Sequence, residues 1–411
     1  MKKLTGNSRC VENVIPCGLL LLLCFLSAPD ARAVGFRLPN QDPVAIARGN
    51  AFVATADDPA AIYYNPAGIT QIPGQQIDVG LYLLSSDVTY DSPAGHAETD
   101  TSPTPVPQLY YVISPTNMPL SFGLGLYAPY GLKLDWGDNT PFNTLAEYGE
   151  LIYLCINPVV AWKVSDSFSV GIGPTINYAE ATFHRAIGLS PGDQFRFDGS
   201  DTAYGFNAGA RWQPVQQWAF GVNYRYSTTE NFQGSSHIKP YAPRTDTSLS
   251  LKFPQFVVGG VSYRPTPKWN FEVDVDWTDW DAVKTSTFKG TAVGDILNDF
   301  DYQSSFMYEF GATRQLPKGF AASAGFFYSE NSIPDKHFNP LIPDSDLFLW
   351  SLGLQHKGHR WDWAVAYQVG WNPGRDVSGN MPVPPSAIGQ NGNGHYESLN
   401  NAVNFSVTLK F

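Results

Sequence analysis

The feature that most constrains this chain is a strict alternation of apolar residues with polar or small ones. In residues 403–411 (VNFSVTLKF) every second residue is apolar and the residues between them are polar. The same alternation occurs in 269–277 (WNFEVDVDW) and in 361–369 (WDWAVAYQV). A period of two residues predicts β-strands that have one apolar and one polar face.

Two architectures use such strands, a soluble β-sandwich and a membrane-spanning β-barrel. In the barrel the apolar face contacts lipid, and rings of aromatic residues mark both interfaces. Aromatic residues make up 14% of this chain and stand at strand ends, as Trp269 and Trp277 do. Charged residues make up only 15%, against about 25% in a typical soluble domain. These features favour the barrel.

Connections between the predicted strands alternate between short and long. The short ones are 115–119, 165–166, 214–216, 265–268, 316–318 and 358–360, and the long ones are 89–106, 130–149, 185–202, 231–247, 279–302, 331–346 and 371–401. Outer-membrane barrels have short periplasmic turns, long extracellular loops and an even number of strands. We therefore predict an all-β transmembrane barrel of about 14 antiparallel strands over residues 75–411.

The N-terminus has the pattern of an export signal. Lys2 and Lys3 precede the apolar run 18–26, and Ala31-Arg32-Ala33 is a small-x-small cleavage site. The run is shorter than the roughly 20 residues of a membrane-spanning helix, so a membrane anchor is the weaker interpretation. We predict a signal peptide over 1–33. Cys155 is then the single cysteine of the mature chain, so no disulfide framework is expected.

Residues 34–74 depart from the strand pattern. Asp42-Pro43 and Asp58-Pro59 each combine a helix-capping residue with a proline suited to the first helical position. The turn at 65–68 (NPAG) ends this segment. A periplasmic tail is one interpretation. An apolar tail would need a cover, so we favour a small helical hatch that plugs the barrel lumen.

Residues 54–70 (ATADDPAAIYYNPAGIT) closely resemble the hatch of the FadL family, with Asn65, Pro66, Ala67 and Gly68 as its motif. The resemblance continues at 127–132 (YAPYGL), 277–280 (WTDW) and 342–346 (IPDSD). It implies a 14-stranded barrel in the outer membrane of a Gram-negative bacterium, which transports long-chain fatty acids or other hydrophobic compounds such as toluene. Leu347 departs from the family pattern, which has a basic residue there. That departure puts specific recognition of a ligand head group in doubt.

The resemblance also implies a route. Ligand first meets the long loops, where the aromatic and aliphatic residues suit an apolar landing groove: Phe195, Phe197, Phe232, Ile238 and Tyr241. It then enters a pocket lined by the mature N-terminus, Val34, Gly35 and Phe36. It leaves sideways through a kink in the third strand, for which the candidate residues are Phe122, Gly123, Gly125 and Pro129. Glycine in a strand often marks a bulge. Ordinary barrel glycines are the alternative, and the resemblance favours the kink.

A fatty-acid carboxylate in the lumen would need a donor or a positive charge. Strand alternation points Arg225 inward, which makes it a candidate ligand contact. A salt bridge in the wall with Glu272, Asp274 or Glu309 is the more favoured interpretation. Arg185 and Lys239 are weaker basic candidates because they lie nearer the loops.

The sequence argues against several other functions. It contains no GxSxG, HExxH, GxxxxGK[ST] or GxGxxG pattern, so we expect no enzyme and no cofactor. His356 and His359 fall in a short turn, and the Asp274–Asp281 carboxylates lack the glycine turn of a calcium loop, so no metal is expected. A net charge of −11 argues against nucleic-acid binding.

The alternative function is a porin-like diffusion channel for small polar solutes. The expected partners are a hydrophobic small molecule, outer-membrane lipid and lipopolysaccharide, and the barrel assembly machinery during biogenesis. The barrel is expected to act as a monomer.

Overall fold

The computed structural model describes residues 35–411; the predicted signal peptide 1–33 and Val34 lie outside the described residues. The strands are β1 Gly74–Ser92, β2 Gly95–Glu98, β3 Thr104–Ser114, β4 Leu120–Tyr127, β5 Leu132–Asp135, β6 Tyr148–Lys163, β7 Phe168–Arg185, β8 Gln194–Val215, β9 Trp218–Arg225, β10 Thr228–Lys239, β11 Ala242–Phe253, β12 Phe256–Thr266, β13 Trp269–Thr278, β14 Thr285–Thr291, β15 Gly294–Asp299, β16 Ser305–Gln315, β17 Phe320–Ser329, β18 Leu347–Lys357, β19 Trp361–Trp371, β20 Arg375–Val377 and β21 Gly394–Lys410.

These strands form one closed antiparallel barrel. Five pairs are successive parts of single barrel strands: β4 with β5, β9 with β10, β11 with β12, β13 with β14, and β15 with β16. β2 and β20 are short additions paired with β1 and β21. The barrel closes where β1 pairs with β21, from Gln76 opposite Lys410 to Asp91 opposite His395. The predicted count of 14 strands is confirmed.

The polarity of the wall is that of a membrane barrel. On β21 the side chains of Val403 and Phe405 are 44% and 48% exposed, whereas Asn404 and Ser406 are buried inside. Exposed aromatic side chains form two girdles around the outer surface. One girdle consists of Trp162, Phe168, Trp212, Trp218, Trp269 and Trp361, and the other includes Tyr178, Tyr204, Tyr226, Phe306 and Trp371. The apolar face therefore points outward, between two aromatic girdles.

The two ends of the barrel differ. The six short connections predicted from the sequence lie at one end, which we call the turn end, together with the start of β1 and the end of β21. The two-residue turns that join β1 to β2, β10 to β11 and β14 to β15 lie at the other end, which we call the loop end. At the loop end several strands extend well past the aromatic girdle. Residues 185–202 and 231–247 were predicted to be loops, and this prediction is wrong because much of each segment is strand. β8 starts at Gln194, and β10 pairs with both β8 and β11. These strands lack a lipid-facing apolar row, so their alternation was not visible in the sequence.

The helices are short. They are α1 Pro43–Ile46, α2 Ala61–Tyr64, and the 3-10 helices Pro66–Gln71, Trp280–Ala282, Pro317–Gly319 and Asp335–His337. Asp42 caps α1 as its sequence predicts, accepting the N–H groups of Val44 and Ala45 at 2.7 and 3.1 Å. Within residues 35–411, none of the helices has the length and apolar character needed to cross a membrane.

The two ends of the barrel should be distinguishable on intact cells. An epitope inserted between Ile388 and Gly389, in an exposed loop-end segment, should be labelled by antibody without permeabilisation. An epitope inserted between Ser165 and Asp166, in a turn-end connection, should be labelled only after permeabilisation. The reverse labelling pattern would contradict the orientation.

Candidate functional site

Residues 35–73, the described part of the hatch, fill the lumen and are held by buried carboxylates of β13. Asp274 accepts the backbone N–H groups of Phe52 and Val53 at 2.8 and 2.9 Å. Glu272 accepts the N–H of Ala54 at 2.7 Å and forms a 2.8 Å ion pair with Arg48. Two wall carboxylates thus anchor the hatch backbone.

The nearby strands β8 and β9 hold the hatch through side-chain amides and backbone carbonyls. Asn65 of the predicted hatch motif donates to the carbonyl of Val53 at 2.7 Å and to that of Ala210 in β8 at 3.0 Å. From the wall, Asn207 donates to the carbonyl of Ile62 at 2.8 Å and Asn223 to that of Tyr63 at 3.0 Å. Polar side chains that point into the lumen therefore provide hydrogen-bond partners for the backbone of the hatch, which is not part of a strand.

The remaining motif residues make close backbone contacts, Pro66 and Ala67 with the wall and Gly68 within the hatch. Gly171 of β7 faces Pro66 and Ala67 so closely that an added Cβ would lie 2.5 Å from the backbone of Pro66. Gly68 packs on the carbonyl of Ala56 in the same way, at 2.3 Å. Glycine at these two positions permits direct backbone contact.

The barrel wall has a break in its third strand. β4 ends at Tyr127 and β5 starts at Leu132. In the described chain, β3 pairs with β4 only over Leu109–Ile113, so its residues 104–108 pair with β1 alone. We call the segment Ala128–Gly131, together with the unpaired edge of β3 at 104–108, the wall break.

The predicted kink residues lie mostly outside this break. Phe122, Gly123 and Gly125 belong to regular β4 and pair with both β3 and β6, so they do not kink the strand. Their glycines instead make room for the hatch, since a Cβ on Gly123 would lie 2.8 Å from the Ile62 side chain. Of the four predicted residues, Pro129 is the one in the break.

The N-terminal part of the hatch spans the wall break. Arg37 faces Tyr130 as an antiparallel bridge; the N–H of Leu38 donates to the carbonyl of Pro129 at 2.9 Å, and that of Gly131 to the carbonyl of Phe36 at 3.0 Å. Buried Phe36 packs edge-on against Trp280, with ring centroids 4.8 Å apart.

Two charged groups fasten this segment. Arg37, which was not singled out from the sequence, forms a 2.7 Å ion pair with Asp276 and lies 3.5 Å from the centre of the Phe256 ring. The N–H of Gly35 donates to Asp344 at 3.1 Å. Burial raises the pKa of the Asp344 carboxyl. Gly35 itself has φ +58° against the Trp280 ring, a conformation that favours glycine.

A cavity of about 210 Å³ adjoins the wall break. Its apolar lining includes Leu38 of the hatch, Leu132 and Leu134 of β5, and Leu347 and Leu349 of β18. Tyr82, Asp344 and Gln368 are among its polar residues. Leu347 is the departure noted in the sequence, and here it adds apolar surface where a basic side chain would add charge.

Arg225 is buried in the lumen, as strand alternation predicts, at 3% exposure. It donates to the Tyr127 hydroxyl, and its guanidinium lies 5.3 to 5.9 Å from the centres of three aromatic rings. The predicted partners are wrong: Glu272 pairs with Arg48, and among the described residues no carboxylate lies within 4.0 Å of Arg225. Arg225 does not line the 210 Å³ cavity.

The residues predicted to form a landing groove are mostly interior. Phe195, Phe197, Phe232 and Ile238 are buried, because β14 and its Phe288 pack against them, with ring centroids 5.3 and 5.1 Å from Phe195 and Phe197. They therefore form no exposed groove in this conformation. Tyr241 is exposed, and its hydroxyl donates to Ser190. Leu189 and Ile388, missed from the sequence, are exposed near it.

Comparison with known proteins agrees with this architecture. The sequence pattern of the family described as Outer membrane protein transport protein (OMPP1/FadL/TodX) matches residues 24–391. The long-chain fatty acid transport protein of Escherichia coli O6:H1 is 23% identical over 384 residues, covering 80% of this chain and 85% of that protein. Outer membrane protein P1 of Haemophilus influenzae is 22% identical over 399 residues, covering 82% and 86%.

Solved structures show the same fold. A Pseudomonas aeruginosa FadL homologue superposes with a TM-score of 0.83 at 18% identity, covering 92% of this chain and all of that one. The Pseudomonas putida toluene transporter TodX superposes with a TM-score of 0.71 at 15% identity, covering 92% and 99%.

A closed barrel with an apolar outer face and a lumen filled by a hatch is an outer-membrane architecture, and the members of the matched family are transport proteins and not enzymes. The chain belongs to the OMPP1/FadL/TodX family of outer-membrane transport proteins.

The carboxylate anchor makes a testable prediction about the hatch. Glu272→Ala removes the acceptor for Ala54 and leaves Arg48 without its ion-pair partner; losing one member of a buried pair costs about 3–5 kcal/mol. The purified variant should show more frequent conducting events in planar bilayers and faster proteolysis of the hatch. Asp166→Ala, which removes a fully exposed carboxylate at the turn end, is the control and should behave as wild type. Identical traces for both variants would show that Glu272 does not anchor the hatch.

Proposed function

We propose that this protein moves small hydrophobic molecules across the outer membrane by lateral exit through the wall break. The observation that carries the proposal is the position of the break, which lies beside an apolar cavity and is spanned by hatch residues 36–38. Solute enters from the loop end, occupies the cavity and displaces the N-terminal segment. It then leaves sideways into the lipid.

The physical reason for a sideways route is the solvent at each exit. The hatch fills the barrel axis with hydrogen-bonded backbone and buried ion pairs, so a path along the axis would break many polar contacts. A hydrophobic solute gains free energy by entering lipid and none by entering the aqueous periplasm. Displacement of hatch residues 36–38 would connect the cavity with the lipid side of the wall through the break.

The cavity favours a neutral solute of modest size. An apolar cavity of about 150 Å³ holds benzene, so about 210 Å³ suits one substituted aromatic ring or a short hydrocarbon. The cations that line the cavity in the described chain, Arg37 and Lys133, both have carboxylate neighbours, Asp276 at 2.7 Å and Glu150 at 4.0 Å, and Asp344 adds a further carboxylate. A ligand carboxylate would therefore compete with carboxylates of the protein for either cation. The similar protein TodX is described as a toluene transporter, which supports this substrate class.

Long-chain fatty acids are the second candidate, favoured by Arg225. A buried guanidinium without a carboxylate partner is a site where a ligand carboxylate would replace the missing counter-charge. The fatty acid would have to reach Arg225 past the rings that surround its guanidinium, Tyr63 of the hatch and Tyr127 and Phe256 of the wall. The similar Escherichia coli protein is described as a long-chain fatty acid transport protein.

A porin-like channel for polar solutes has less support. Porin lumens are polar and filled with water, whereas this lumen contains the hatch, whose residues Phe52, Ile62 and Tyr63 are buried within it. Among the expected partners, outer-membrane lipid takes up the solute at the break. Lipopolysaccharide contact, assembly by the barrel assembly machinery and a monomeric state stay predictions.

The lateral route predicts that a covalent lock across the break stops transport. Arg37 and Tyr130 face each other as a non-hydrogen-bonded pair, in which Cα atoms lie about 4.5 Å apart, close enough for a disulfide. We therefore combine Arg37→Cys and Tyr130→Cys in a Cys155→Ala background. When the two cysteines are oxidised to a disulfide, cells with this variant should take up no more toluene than cells without the protein. Reduction should restore uptake.

The same double variant serves as its own control, because oxidised and reduced forms differ only in the bond. Each single cysteine variant should be insensitive to reductant. Equal uptake by the oxidised and reduced double variant would rule out displacement of the N-terminal segment.

The two substrate candidates differ in their dependence on Arg225. Arg225→Ala should weaken binding of a fatty acid by about tenfold or more if its carboxylate contacts the guanidinium, as expected for loss of a charge-assisted hydrogen bond. Binding of an alkane of equal chain length should be unchanged. Binding is measured by fluorescence displacement on protein whose folding is verified by heat-modifiable gel migration. Equal loss for both ligands would exclude a head-group role for Arg225.

A further inference from the structure

We propose that Gln41 is a positioning residue that replaces the missing neighbouring strand at the wall break and so holds the break open. This inference rests on the proposed lateral route and adds the residue on which its geometry depends. Gln41 is completely buried and does not line the 210 Å³ cavity. It therefore acts on the wall and not on the solute.

The side-chain amide of Gln41 pairs with Ala128 as a strand neighbour would. Its Nε2 donates to the carbonyl of Ala128 at 2.7 Å, and its Oε1 accepts the N–H of Ala128 at 3.3 Å. The second N–H of the amide donates to the carbonyl of Leu38, also at 2.7 Å. One side chain thus satisfies both backbone groups of the first residue after β4.

Ala128 needs this partner because of its position. β3 provides no ladder beyond Leu109 on this side, and Pro129, which follows Ala128, has no N–H to donate. Buried backbone N–H and C=O groups are almost always paired, because an unpaired one is costly. If the register of Leu109 opposite Leu126 continued, the β3 residue opposite Ala128 would be Pro107, which also has no N–H, so β3 could not donate to the Ala128 carbonyl.

Contacts with β3 fix Gln41 in place. The hydroxyl of Tyr110 donates to the Gln41 carbonyl at 2.9 Å, and Gln108 donates to the carbonyl of Asn40 at 3.1 Å. On the hatch side, the N–H of Gln41 donates to the hydroxyl of Tyr64 at 2.9 Å. The inward side chains of β3 therefore bind the hatch, and the hatch binds the break through Gln41.

This arrangement requires an amide. Methionine has nearly the same length as glutamine but neither donates nor accepts these bonds, and glutamate would place a carboxylate against the carbonyl oxygens of Leu38 and Ala128. Gln71 offers a matched control, because its amide also donates to two hatch carbonyls, those of Thr55 and Ala56, at 2.9 and 3.0 Å. Gln71 has no contact with the wall break.

The test measures toluene uptake by cells that express wild type, Gln41→Met, Gln41→Glu or Gln71→Met, with cells lacking the protein as baseline. Both Gln41 variants should lower the maximal uptake rate about tenfold relative to Gln71→Met, as expected when a buried backbone pair is left unsatisfied. Toluene affinity of the purified proteins should stay within about twofold of wild type, because Gln41 does not line the cavity. A change confined to maximal rate identifies a positioning role.

Hydrogen exchange gives a second readout that does not depend on transport. The Ala128 amide should exchange faster in Gln41→Met than in Gln71→Met. If wild-type cells take up no toluene above the baseline, the proposed function fails, and Ala128 exchange still tests the pairing. If wild type transports and the Gln41 variants match Gln71→Met in rate or in Ala128 exchange, the inference is overturned.

Discussion

The structure depends on one constraint, that backbone hydrogen-bonding groups inside a membrane must find partners within the protein. Thirteen consecutive pairings and the closure of β1 on β21 meet this constraint around most of the wall. The third barrel strand does not, since Ala128–Gly131 have no ladder pairing with β3 or with β6. There the hatch supplies the partners, through the backbone of Phe36 and Leu38 and the side chain of Gln41. Plug and opening are consequently one structural unit.

The hatch is held by a polar lumen that is complementary to its backbone. Carboxylates of β13 accept its N–H groups, and asparagines of β8 and β9 donate to its carbonyls. A segment with little regular secondary structure is stable in the lumen because the wall satisfies it. Two apolar residues of the hatch reach the cavity and the break: Leu38 lines the cavity, and the Phe36 ring lies 6.1 Å from that of Tyr130 in the third strand. The same small segment therefore blocks the axis and lies at the wall break.

Much of this architecture was predictable because it follows from local repeats. The alternation in 403–411 and the short turns between strands indicated a barrel, and Asp42-Pro43 indicated a helix start, which Asp42 caps. The inward position of Arg225 also followed from strand alternation. Segments outside the membrane were misjudged. The strands around Phe195 and Phe232 lack an apolar row facing lipid, so their pairing left no clear period in the sequence.

By itself the sequence determined the barrel, its strand number, the signal-like N-terminus and the hatch motif, because each depends on residues that are close together along the chain. Only the tertiary structure decided the break and its partners. Pro129 could be suspected from its chemistry, but the role of Gln41 rests on contacts between segments 87 residues apart. Likewise, Arg37 and Arg48 occupy the carboxylates of β13 across more than 200 residues, which leaves Arg225 without one. Such pairings depend on the arrangement of the whole barrel around the hatch, and no local sequence pattern predicts them.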